Sequence, residues 1–148
     1  MMNKITEYTV QVAEEKTQWF LNGKLHRHDG PAVEYNNGDK AWFLNNKLHR
    51  TDGPAVEYNN GDKSWYLDGK YHRTDGPAIE WSNGDKSWYL DGKYHRTDGP
   101  AIEYSNGDKS WFLNGEKVTE QAVMKPVKKI TVAEIEALLG FPIKIIAG

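Results

Sequence analysis

The chain has 148 residues, a formal charge of −2 and no cysteine. That is enough for one ordinary domain or a short repeat array, and it leaves out disulfides, a thiolate nucleophile and thiolate metal sites. The near-balanced charge gives no general pull toward nucleic acid, no window approaches the ~18 apolar residues of a membrane span, and the opening MMNKITEYTV lacks an apolar signal core, so the expectation is a soluble, cytoplasmic protein.

Residues 1–18 read as a degenerate half-repeat, because TVQVAEEKTQW lines up with AVEYNNGDKAW of the following copy. Residues 19–117 form the array itself. Trp19, Trp42, Trp65, Trp88 and Trp111 are spaced 23 residues apart, giving four full copies and a partial fifth that begins WFLNG. The copy Trp65–Ser87, WYLDGKYHRTDGPAIEWSNGDKS, differs from the next only in Trp81, which becomes Tyr104. Worn ends around crisp middle copies suit an array whose terminal units face water.

Each copy carries two hairpin signals. The first is LDGK or LNGK, and in copy two LNNK, where Asn46 replaces glycine. Asparagine tolerates positive φ next best, which points to a type I′ turn. The second is NNGD or SNGD, and Asn-Gly between alternating runs is a strong hairpin signal. A two-residue loop at Asn83-Gly84 pairs Trp81 with Lys86 and Ile79 with Trp88. Pro77, Ile79, Trp81, Trp88 and Leu90 then share one face, and Ala78, Glu80, Ser87 and Tyr89 the other. Across Asp91-Gly92, Trp88 faces His95, Tyr89 faces Tyr94, and Ser87 faces Arg96. The expected fold is all-β, an elongated array of antiparallel hairpins with a small C-terminal αβ cap.

That cap is read over 118–148. VTEQAVM starts a short helix capped by Thr119, KPVKK is a basic connector, and TVAEIEALLG has a capping box at Thr131 and Glu134 with Gly140 as C-cap. FPIKIIAG reads as a last strand. The stripe Val132, Ile135, Leu138 and Leu139 needs a cover, either the array or a second chain, which makes a homo-oligomer through the cap one expectation.

The motif HRTDGPA, HRHDGPA in copy one, holds all five histidines and all four arginines of the chain. Acid–base chemistry by a His/Asp hydrolase is one reading. A corner that every copy must turn is the other, and fourfold repetition favours it. In the corner reading Asp75 caps local N–H groups, Gly76 takes positive φ and Pro77 fixes φ. Histidines a whole repeat apart do not converge on one metal; only His28 and Asp29 make copy one denser in ligands. No metal, cofactor or catalytic residue is assigned.

The residues W-x-x-[ND]-G-K-x-H in a 23-residue hairpin repeat resemble the MORN repeat. The LNGK-x-HR-x-DGPA form is similar to MORN-like repeats of bacterial and tailed-phage proteins, and the tail resembles the short C-terminal element of small phage proteins. The likeness spans about Trp19–Gly115 and departs from the usual pattern where G-x-G becomes R-x-D-G-P. It implies a repeat scaffold for binding, without characteristic catalytic residues.

The candidate binding residues are Tyr66, Tyr71, Arg73, Glu80, Tyr89, Tyr94 and Arg96, read as one open face with two equivalent Arg–Tyr pockets. At the matching positions copies one and two carry Phe20, Leu25, Phe43 and Leu48, an apolar end that either the tail or a partner covers. Four acids against three bases in each middle copy argue against extended nucleic acid. The expectation is a non-enzymatic protein engaging a host protein, with a small anionic ligand such as a nucleotide as the alternative partner and no membrane.

Overall fold

The computed structural model describes residues 7–124 and 131–142. Among these it has eighteen short strands and two helices. The chain is an all-β array of antiparallel hairpins. Its spine is a twelve-stranded sheet to which each copy contributes one hairpin, such as Ile79–Glu80 with Lys86–Ser87. Between spine hairpins the strand is interrupted at Trp42, Trp65 and Trp88, and each copy makes a second small hairpin, such as Tyr89–Leu90 with Lys93–Tyr94. These outer hairpins join their neighbours by pairs of backbone bonds: Arg73 N–H donates to Tyr89 O at 3.2 Å and Gly92 N–H to Tyr71 O at 2.9 Å. Backbone groups are thereby satisfied along two parallel rows.

The worn N-terminal segment is a hairpin, Thr9–Val12 against Lys16–Leu21. The partial fifth copy closes the other end with Lys109–Leu113 against Glu116–Val118. The turns of the outer hairpins are type I′, with φ of 51° at Asp91 and 80° at Gly92, and of 52° and 64° at Asn45-Asn46.

The spine turns differ from the sequence reading. Gly84 N–H donates to Trp81 O and Trp81 N–H to Asp85 O, each at 3.0 Å, and Gly84 has φ of 96°. This is a three-residue loop with a G1 bulge. It pairs Ile79 with Ser87 and Glu80 with Lys86. One residue of slip exchanges the faces of everything that follows. Ile79, Trp81, Ser87 and Tyr89 lie on one face, here called inner, and Ala78, Glu80, Trp88 and Leu90 on the other. The opposition of Tyr89 and Tyr94 is as expected.

The core is thin. Ala32, Ala55, Ala78 and Ala101 are fully buried, with Val33, Ile79, Ser64 and Ser87 behind them. Each Ala carbonyl accepts from a Trp N–H, as Ala78 O does from Trp65 at 2.8 Å. A small side chain lets the interrupted strand approach that closely.

After the array, α1 spans Glu120–Val123 with Thr119 as N-cap. Helix α2 spans Val132–Leu139, opened by the Thr131–Glu134 capping box and closed by Gly140 at φ 73°. Its apolar stripe remains on the surface, with Leu138 78% and Leu139 49% exposed. The connector at 125–129 lies outside the described residues, and of the expected last strand at 141–148 only Phe141 and Pro142 are described, neither of them in a strand. No described helix is long and apolar enough to cross a membrane.

Candidate functional site

The corner motif folds around its arginine. In copy three the Arg73 guanidinium lies over the Trp65 ring, 4.0 Å from its centroid. Its Nε donates to Asp75 Oδ1 at 2.8 Å, and its Nη1 to Pro77 O at 3.2 Å and to Glu80 Oε1 at 2.8 Å. Gly76 fits beneath the guanidinium: a Cβ there would stand 2.9 Å from Arg73 Cζ. Gly76 is absent from the positive-φ residues, so the glycine is needed for space and not for the left-handed conformation expected. The same set recurs around Arg27, Arg50 and Arg96. The Arg73 guanidinium beside Asp75 holds that carboxyl below the usual carboxylate range.

Arg73, Arg96 and Glu80 therefore stand with the Trp residues, on the face opposite Tyr66, Tyr71, Tyr89 and Tyr94. The expected Arg–Tyr pocket is not formed at these positions. The bulged spine turn is the reason, since it moves Glu80 to the Trp side, where Arg73 pairs with it.

The histidines join copies. At all four joints a histidine Nδ1 accepts the N–H of the first turn residue of the next copy: Asn45 to His26 at 3.2 Å, Asp68 to His49 at 3.2 Å, Asp91 to His72 at 3.3 Å and Asn114 to His95 at 3.1 Å. Three of these Nδ1 atoms also face the side-chain oxygen of the same turn residue, so Nδ1 accepts from the backbone or donates to that oxygen according to which ring nitrogen carries the proton. Copies two and three also set an Asp oxygen within 3.0 Å of Nδ1. In the first and last joints that residue is Asn, so the shared requirement is the backbone N–H. In copy one His26 Nε2 and His28 Nε2 are 3.0 Å apart, while Asp29 is held by Arg27. Among the described residues no three His, Asp or Glu side chains form a group able to hold a metal. Sequence reasoning did not anticipate a third link, in which Asp62 and Asp85 accept the turn N–H of Ser82 and Ser105 at 2.7 Å.

The inner face is aromatic. Tyr66, Tyr71, Tyr89, Tyr94 and Phe112 form one continuous ring stack, with centroid steps of 4.3, 5.0, 4.2 and 5.1 Å. Burial, with hydrogen bonding to Tyr71 and Tyr94 respectively, pushes the Tyr66 and Tyr89 phenols well above their usual range. In copies one and two leucine replaces every second ring. A groove of about 420 Å³ opens there, lined by Leu25, Val33, Phe43 and Leu48, by Tyr35 and Tyr58, and by the charged Lys16, Lys40 and Asp39. The positions of Tyr35, Tyr58, Trp81 and Tyr104 make a row of half-exposed rings beside it.

The Trp face has its own relief. Three alike clefts of about 520, 590 and 560 Å³ lie between successive corners. The scan of family models and the search of curated proteins found no match to this chain.

Proposed function

We propose that this chain is a non-enzymatic binding scaffold that holds a protein partner along its inner aromatic face, with the groove of copies one and two as the anchor point. As a small phage-type protein, its partner would be a host factor. The observation that carries the reading is the groove itself: apolar residues, two tyrosines, and two lysines against the single Asp39 suit an apolar side chain beside one acidic group. Exposed aromatic rings are favoured anchors at protein interfaces.

The corner chemistry supports a scaffold. Three atoms of acceptor and one ring already engage each arginine, which leaves little for a small anion. His72 has a carboxylate at Nδ1, yet no hydroxyl is hydrogen-bonded to its Nε2 among the described residues, as a nucleophilic triad would need. The test is capture of a partner from host lysate followed by titration against folded variants. Leu48→Tyr fills the groove and Tyr89→Ala opens the stack. Both should weaken binding, the first more; parent-like affinity in both would remove the inner face from consideration.

A further inference from the structure

The three clefts of the Trp face repeat the same chemistry. The cleft between copies two and three is lined by Trp65, Leu67 and His72 on one side and by Thr51, Asp52 and Arg50 on the other. The next has Trp88, Leu90 and His95 against Thr74, Asp75 and Arg73. The third has Trp42, Leu44 and His49, with His28 where the other two have threonine. Each thus offers an indole and a leucine for apolar contact. Each also offers a histidine Nε2 that has no partner among the described residues, while its Nδ1 is held at the next copy's turn. Two arginines and two aspartates line each cleft and leave it nearly neutral.

Spacing selects the ligand. Two strands per copy advance the array by about 9.6 Å, in keeping with ring steps of 4.3 and 5.0 Å within one copy of the stack. A polyproline II helix has three residues per turn and advances about 9.3 Å per turn. It presents an equivalent side chain at that interval, and an extended β-strand does not. Its carbonyls have no internal hydrogen bonds, which calls for donors: threonine hydroxyls line every cleft, and histidine Nε2 adds one wherever it carries the ring proton. Aromatic-lined grooves recognise such segments because the helix is formed before binding.

We propose that the Trp face binds a proline-rich segment in polyproline II conformation, one residue in every three seated in a cleft, with a neutral or weakly charged sequence between. This site lies on the opposite side of the sheet from the inner groove and stands independently of it. Fluorescence anisotropy with labelled decaproline, triproline and a Gly/Ser decamer tests it. Decaproline should bind on the order of 10²-fold tighter than triproline, because it spans successive clefts, and the Gly/Ser decamer should not bind. Thr74 lines two of the three clefts, so Thr74→Tyr should reduce decaproline to the triproline level with an unchanged melting temperature. Thr51→Tyr, which blocks another pair, serves if the first variant does not fold. Leu48→Tyr on the inner face should leave decaproline binding unchanged. The proposal is overturned by no decaproline binding above the Gly/Ser control, by affinity independent of length, by indifference to both threonine variants, or by a β-linked oligosaccharide binding where decaproline does not.

Discussion

Copies one and two share the arginine corner and the histidine joint with copies three and four but build a different inner face. In both halves an arginine sits on a tryptophan at 4.0–4.2 Å, and a histidine takes the next turn's N–H. Where the ladder residues are Tyr66, Tyr71, Tyr89 and Tyr94, rings stack without a break; where they are Phe20, Leu25, Phe43 and Leu48, a groove opens. The backbone does not depend on the ladder. Corner positions set the fold, and ladder positions are free to set what the surface recognises.

Substitution of the corner tryptophans is the largest test of that division. Trp88→Ala and Trp42→Ala should each cost about 3 kcal/mol, the low end for a large aromatic because the rings are only partly buried. Urea melts should give similar losses in the two halves. A loss confined to one half would mean that the corners are not equivalent supports. Gly76→Ala and Gly53→Ala come next. A glycine at ordinary φ normally gains stability on becoming alanine. Here the new Cβ meets Arg73 or Arg50 Cζ at 2.9 Å, and that guanidinium cannot shift without leaving its ring and its acceptors. Both variants should therefore lose about 1–3 kcal/mol. A gain in melting temperature would show that the arginine relaxes at no cost.

The limit of the sequence lay in two places. The Asp-Gly and Asn-Asn turns were legible because positive φ at two successive residues leaves few residue choices, and α2 was legible because its caps are local side-chain bonds. Asn-Gly in the spine was ambiguous: the pair serves a two-residue type I′ loop and a type I turn with a G1 bulge alike. The wrong choice put Arg73 and Glu80 with the tyrosines. The destination of Arg73 also depends on Trp65, eight positions earlier and brought near only by the fold. The histidine joints were unreadable for the same reason, since the partner N–H belongs to the next copy's turn. The inner groove arises from a difference between copies, Leu for Tyr, that the sequence displayed but whose volume only packing reveals.

Exchange of the ladder sharpens the comparison at lower cost. Tyr71 stacks on both Tyr66 and Tyr89, so Tyr71→Leu should cost about 0.5–1.5 kcal/mol for each ring pair lost. It should also create in copies three and four the groove that copies one and two have. Leu48→Tyr is the reciprocal change and should be nearly neutral, because the ring enters existing space. Near-ultraviolet circular dichroism should lose tyrosine intensity in the first variant and gain it in the second. Unchanged spectra in both would mean that stacking in the two halves is not set by the ladder residue.

Alkaline pH gives the smallest effect, because it appears only when tyrosines ionise. The Tyr66 and Tyr89 phenols are raised, first by burial and then by their hydrogen bonds to Tyr71 and Tyr94. Unfolded tyrosines ionise near about pH 10. Raised folded-state values mean that the native chain resists losing these protons. Their contribution to stability is complete below about pH 10 and is lost as pH rises from there toward the folded values. Copies one and two carry Phe20 and Phe43 at these positions, and those rings cannot ionise. Tyr66→Phe and Tyr89→Phe should each flatten the decline in stability above pH 10 while leaving neutral-pH stability nearly unchanged. Tyr58, raised by burial in the groove wall, should leave a residual slope in the double variant. If the double variant keeps the parent's full alkaline slope, the stacked phenols ionise as freely as solvent-exposed ones, and the ring stack of copies three and four gives its hydroxyls no protection from water.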